Sequence, residues 1–218
     1  MTKISLNLPI ITQNPQPTEK LGNGQWLGLE RIYYTLPNTG EIRQWEVCRR
    51  ASVNTTKMES KKEEINAVDV VAIIHQEKQK SIVLVVQYRP AVDTFTIEFP
   101  SGLIDKDEDV KAAALRELKE ETGYVGELLN ISPTICYEPG LTDSCCKLAF
   151  VKIDPTIEVN QNPTPTLEAD EWSLQTIVLP CDENLLDILK DLQADKPHLV
   201  VDSRLYTFAL GLATSKYL

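Results

Sequence analysis

Apolar positions along the chain recur in blocks with either a strand period or a helix period. Residues 70–75 and 81–88 are β-branched runs on either side of a polar turn, 76–80, and predict a buried hairpin. Residues 94–99 alternate and predict another strand, followed by an acidic loop over 101–109. Val110–Thr122 predicts a helix, because Ala112, Ala113, Ala114, Leu115 and Leu118 are apolar or strong helix formers. Gly123 stands where a left-handed helix terminator is wanted. Further strands are expected around 125–132, 147–153 and 172–179, and further helices over 185–192 and 205–216. Residues 154–169 carry Pro155, Pro163 and Pro165 and read as a long loop.

Upstream, residues 27–37 and 41–51 read as two strands joined by the turn Pro37-Asn38-Thr39-Gly40. Residues 1 to about 20 are polar, carry Pro9, Pro15 and Pro17, and suggest a loose arm; residues 53–66 are polar and charged and suggest a linker. The chain thus divides into an N-terminal β part, 1–65, and a larger part, 66–218. Mixed strands with a few helices predict an α/β or α+β sandwich. No internal repeat is found.

Composition narrows the picture. Hydrophobic residues make up 42% and charged residues 25% of 218, ordinary globular usage that excludes a disordered or fibrous chain. The size supports a core that folds without disulfide or metal staples. Acidic residues outnumber basic ones 32 to 22, for a net charge of -10, which argues against broad binding to nucleic acid or anionic lipid. A small phosphorylated substrate is not excluded, since a bound cation can invert the local field. The five cysteines are odd in number, include the adjacent pair Cys145-Cys146 and show no CxxC spacing; with only His75 and His198 available, they read as buried thiols in a reducing compartment rather than a zinc site. No apolar run is long enough for a signal peptide or a membrane span, so a soluble protein of the cytoplasm or nucleus is expected. The absence of GxGxxG, GxxxxGK[ST] and GxSxG disfavours dinucleotide-fold oxidoreductases, P-loop enzymes and serine hydrolases.

The informative segment is GLIDKDEDVKAAALRELKEETGY, residues 102–124. On a helix, residues three and four apart share a face, so Glu117, Glu120 and Glu121 group at the C-terminal end. They repel one another and face the negative end of the helix dipole, an arrangement that a helix selected for stability alone would avoid. Arg116 offsets part of this charge through its i,i+4 relation to Glu120. Such a carboxylate cluster suits a hard divalent cation, Mg²⁺ or Mn²⁺. Charge alone equally allows a solvated acidic face.

The spacing adds more. Gly102, Glu108 and Arg116-Glu117-Leu118-Lys119-Glu120-Glu121-Thr122-Gly123-Tyr124 resemble the signature of the Nudix hydrolases, GX5EX7REUXEEXGU, with Tyr124 a mild variant at the last apolar position. The resemblance implies an αβα sandwich of mixed sheet, with a small N-terminal β-hairpin subdomain, and Mg²⁺- or Mn²⁺-dependent hydrolysis of a nucleoside diphosphate linked to another group. By motif position it implies Glu117, Glu120 and Glu121 as metal ligands and Arg116 as the residue orienting a glutamate. Glu108 is implied as an outer metal contact or a structural group, Gly102 and Gly123 as backbone turns, and Leu118 as an inward-packing residue. The runs from Gln87 to Tyr124 and TICYEPGLTDS after it are similar to the ADP-sugar branch, particularly eukaryotic ADP-ribose pyrophosphatases; Pro139, 15 residues beyond Tyr124, fits that branch.

This closer resemblance implies a homodimer in which Trp26 and Trp45 stack on adenine across subunits. It implies Arg50 and Arg89 as contacts to phosphate or the terminal ribose, and Ser101 as a metal contact through its backbone. Glu138 stands where aspartate is expected at a ribose contact. Glu171 resembles the water-activating base, with Glu168 and Asp170 as competitors in the same loop. Two other readings stand beside ADP-ribose diphosphatase: a broader nucleoside-diphosphate-sugar or oxidised-nucleotide diphosphatase, and a non-catalytic ADP-ribose sensor.

Overall fold

The computed structural model describes residues 8–50, 66–77 and 79–215. The chain forms two compact units, Met1–Glu64 with Cys136–Cys145, and Ile65–Ile135 with Cys146–Leu218. Most of the expected linker 53–66 lies outside the described residues.

The first unit is a four-stranded antiparallel sheet rather than a two-stranded hairpin. Strands β3 (Leu27–Thr35) and β4 (Ile42–Arg50) pair in register from Leu27↔Arg50 to Thr35↔Ile42. The stretch expected to be a loose arm supplies β1 (Thr12–Gln13) and the start of β2 (Glu19–Asn23), both on β3. Its polar composition hid them, because backbone pairing on an open edge needs no apolar side chains. Arg31 reaches Glu19 and Glu46 on the two strands beside it. Segment 136–145 joins this unit through two backbone-directed bonds: Cys48 N donates to Leu141 O at 2.8 Å, and the Trp45 indole to Gly140 O at 3.2 Å.

The second unit is built on β5 (Ala67–His75). It pairs in antiparallel fashion with β6 (Lys80–Arg89) and β8 (Ser101–Leu103), and β6 pairs likewise with β7 (Thr94–Glu98). The expected acidic loop therefore opens with a short strand, in which Gly102 pairs with Val68. Helix α1 covers Val110–Thr122, as its apolar pattern predicts. After α1 come β9 (Glu127–Ile131), β10 (Ile135–Cys136) and β11 (Cys145–Ile153), which runs parallel to β5 from Cys146↔Ala67 to Ile153↔Ile74. The loop over 154–169 contains a short helix, α2 (Glu158–Gln161), pinned by buried Asn160, whose side-chain amide donates to Val125 O and Asp154 O. β12 (Gln175–Pro180) pairs with β6, and β13 (Leu199–Val201) runs parallel to β7. Helices α3 (Leu185–Asp195) and α4 (Ser203–Thr214) complete the chain.

The core is two layers on one mixed sheet. Val68, Val70, Ala72 and Ile74 of β5 pack with Ala113, Ala114 and Leu118 of α1. Val71, on the opposite face, packs with Leu185 and Leu189 of α3 and Leu205 and Ala209 of α4. Strands sandwiched between helices read as continuous apolar runs because both faces are covered. That is why β5 and β6 announce themselves so strongly in the sequence. No helix among the described residues is long and apolar enough to cross a membrane.

Candidate active site

Helix α1 presents its acidic end through three local devices. Asp109 caps its start, its carboxylate accepting from Ala112 N at 2.7 Å. Gly123 ends it with φ 75°, its N–H donating to Lys119 O at 2.8 Å. A side chain at Gly123 would also meet Thr164 N at 2.3 Å, because the 162–166 stretch passes directly over it. The last-turn carbonyls, which a helix cannot satisfy itself, are taken up by neighbours. Thr166 N donates to Glu120 O at 2.8 Å, and the Thr176 hydroxyl to Glu121 O at 3.1 Å.

Arg116 is the hub. Its Nε and Nη2 bind both oxygens of Glu108, at 2.9 and 2.8 Å. Nη1 donates to Glu117 at 2.7 Å and to Glu120 at 3.0 Å, and Nη2 also reaches Leu103 O at 2.9 Å. Glu108 is therefore committed to Arg116 and to Asp105 N, and the guanidinium holds its carboxyl below the usual range. Burial pushes the Glu117 carboxyl up, against the opposing pull of Arg116.

Glu121 is the extreme case. It is 2% exposed, and burial drives its carboxyl up to about 9, although Ser101 N donates to it at 2.9 Å. The charges of Glu117 and Glu171 push in the same direction, so these three carboxylates share one neighbourhood. Gly102 has a steric role here: a Cβ would lie 1.9 Å from the Glu117 carboxyl carbon. The missing side chain is what lets Glu117 fold back against β8.

Glu171 closes a single turn, Ala169–Glu171. Glu168 N donates to Glu171 Oε2 at 2.7 Å, a reciprocal capping arrangement, so Glu168 acts as the cap of that turn. Two residues on, the Ser173 hydroxyl accepts from Tyr88 N at 3.0 Å, and Leu174 is buried. Arg89, next to Tyr88, forms a two-pronged pair with the 4%-exposed Glu98 at 2.8 and 2.6 Å, and the Thr96 hydroxyl bonds the same carboxylate. Its guanidinium is nonetheless partly open to solvent and feels the charge of Glu121.

The remaining candidates lie in the first unit. Trp26 stands in the β2–β3 turn and Trp45 on β4, and both rings are largely exposed. Arg50 is exposed at the end of β4 opposite Leu27, whereas Arg49 is engaged by Glu30 and Asp143. Glu138 is exposed in a turn, its carbonyl accepting from Leu141 N and Thr142 N.

Two buried groups had no assigned role in the sequence reading. One is Glu98, which holds Arg89. The other is Asp69, 1% exposed, which accepts from Arg204 at 2.7 Å and from the Cys146 thiol at 3.2 Å. Arg204 is in turn gripped by Asp202, the N-cap of α4. Both carboxylates carry a readable signal: each is an acid inside an otherwise apolar strand run.

Carboxylates gathered at one helix end, fixed by an arginine and set in a sandwich of mixed sheet, define a Nudix hydrolase. The chain belongs to that family: residues 65–192 match the NUDIX domain. It is 35% identical over 196 residues to the ADP-sugar pyrophosphatase of Mus musculus, covering 89% of this chain and 84% of that one. It is 34% identical over 196 residues to the ADP-ribose pyrophosphatase of Saccharomyces cerevisiae, covering 88% and 79%. A solved structure described as an ADP compounds hydrolase shares the fold, with a TM-score of 0.60 at 19% identity over 98% of both chains.

Proposed function

We propose that the protein is a Mg²⁺-dependent ADP-sugar diphosphatase that hydrolyses ADP-ribose to AMP and ribose 5-phosphate. The buried Glu121 carboxyl beside Glu117 and Glu171 carries this reading, because such a group is costly unless a cation or a proton balances it. Among the described residues, no three acidic, histidine or cysteine side chains form a ready-made metal cluster. The donor set still fits a hard cation, being all carboxylate oxygen, with Arg116 and Ser101 N each orienting one carboxylate.

Glu117 and Glu121 would hold the ion, with Glu120 and the Ser101 carbonyl as further donors; Mn²⁺ would serve in its place. A cation held there would supply charge neutralisation for the diphosphate and would lower the pKa of a bound water. Arg116 keeps the Glu117 carboxylate from rotating away. Arg89, braced by Glu98, offers a planar donor face for phosphate, and Arg50 another. The Glu171 carboxylate receives the proton of the attacking water. Adenine specificity falls to Trp26 and Trp45. Ile32↔Trp45 lies five register steps from Leu27↔Arg50, and Trp26 is one step beyond, about 20 Å along the ladder. Rings gripping one base stand only about 7 Å apart, twice a van der Waals contact. This separation supports a reading in which a second copy supplies one of the two rings, with a homodimer as the active form.

The test is incubation with ADP-ribose and Mg²⁺ in ¹⁸O-water, with products resolved by chromatography and mass. AMP and ribose 5-phosphate should appear, with turnover exceeding that of ADP-glucose and 8-oxo-dGDP. Glu117→Gln and Glu121→Gln should lower turnover by roughly 10²-fold or more without lowering the melting temperature. No AMP at high enzyme concentration rejects the reading, and tight binding without product makes the protein a sensor.

A further inference from the structure

Segment 136–145 leaves the second unit at Cys136 and returns to it after Cys145. Tyr137 N donates to Ser144 O at 3.2 Å, and β10 is bonded to β11. In an antiparallel ladder, bonded residues stand directly opposite, so the next pair outward from Tyr137 and Ser144 is Cys136 and Cys145. Bonded and non-bonded pairs alternate, which makes the cysteines a non-hydrogen-bonded pair with a Cα separation of about 4.5 Å. Disulfides span Cα separations of about 4.4–6.8 Å. Cys136 is exposed and Cys145 half-buried, so a small reagent can reach the first.

We propose that Cys136 and Cys145 are a modification site: a cross-strand dithiol that a low-molecular-weight disulfide oxidises to an intrachain bond. The Cys136 thiolate attacks the external disulfide, forming a mixed disulfide and releasing one thiol. The Cys145 thiolate then attacks the Cys136 sulfur and releases the second. Two protein thiols are oxidised, one external disulfide is reduced to two thiols, and the two protons pass to the departing thiolates. Neighbouring Cys146 is fully buried and hydrogen-bonded to Asp69, and Cys48 stands opposite Thr142 rather than either partner.

The bond would close the loop that carries Glu138 and offers Gly140 O to the Trp45 indole. If the adenine reading above holds, oxidation braces the recognition loop and reduces the ordering cost of binding, so KM falls while kcat stays constant.

Full-length protein is equilibrated with oxidised glutathione, alkylated, and cleaved before Asp143 without reduction. The fragments bearing Cys136 and Cys145 should remain linked and separate on adding dithiothreitol. Cys146→Ser should keep the link, and Cys136→Ser and Cys145→Ser should lose it. Alkylation of both thiols, glutathione retained on Cys136 alone, or a link to Cys48 or Cys146 overturns the proposal. The peptide result is independent of activity, so it stands apart from any failure of the substrate assignment. In steady-state assays with ADP-ribose, oxidation should lower KM by about threefold, reversibly and not in Cys136→Ser. An unchanged KM in active enzyme overturns the coupling to recognition.

Discussion

Strands β4 and β5 are both nine residues long, yet they do opposite things. In β5 only Ile73 and His75 escape full burial, and every face is packed between helices. In β4 only Val47 is buried, and Trp45 leaves 49% of its surface to solvent. The difference teaches a division of labour. The second unit holds nearly all of the buried apolar core and buries the carboxylates of Asp69, Glu98, Glu117 and Glu121 beside it. The first has little core of its own and leaves Trp26 and Trp45 open to solvent.

Changes in the two regions should accordingly fail in different ways. The largest effect is expected at Glu121, whose folded carboxyl titrates at about 9 against an ordinary value of 4.5. As pH rises between these values the unfolded state releases its proton and the folded state keeps it. Metal-free protein should therefore lose stability with rising pH, by up to about 1.4 kcal/mol per pH unit. Glu121→Gln should flatten that slope. Added Mg²⁺ should stabilise the wild type more at pH 8.5 than at pH 6, as measured by thermal melting with and without chelator. Equal slopes for the two proteins would contradict the burial argument.

Next in size is Leu118→Ala, which removes a fully buried side chain between α1 and β5. It should cost about 2–5 kcal/mol in denaturant unfolding. Activity of the surviving folded fraction should fall too, since Glu117 and Glu121 flank this residue. Smallest in energy are Trp45→Ala and Trp26→Ala. Each should raise the KM for ADP-ribose by roughly 10- to 100-fold, the equivalent of about 1–3 kcal/mol of stacking. Melting of the second unit should not change. A fall in kcat with KM preserved would move these residues out of recognition.

The grouping of the carboxylates on α1 was legible for a local reason. Helical periodicity places Glu117, Glu120 and Glu121 together from spacing alone, and Asp109 and Gly123 mark the helix ends. The apolar runs of β5, β6, β7 and α1 were equally plain, because burial on both faces leaves continuous hydrophobic sequence. The polar strands β1 and β2 and the short β8 were not legible, since backbone pairing along an edge leaves little trace in side chains. Segment 136–145 could not be assigned to the first unit either. Among the described residues, long-range contacts from Trp45, Cys48 and Arg49 tie it there.

By itself, then, the sequence determined the mixed strands and helices of the second unit and the acidic turn of α1, because both follow from periodicity within a few residues. Only the tertiary structure decided what each carboxylate does. Glu108 lies on Arg116, Glu98 on Arg89, Asp69 on Arg204, and Glu121 is buried against Ser101 N. Desolvation and pairing depend on residues brought together from distant points in the chain, and those separate a carboxyl raised to about 9 from one held below its ordinary range.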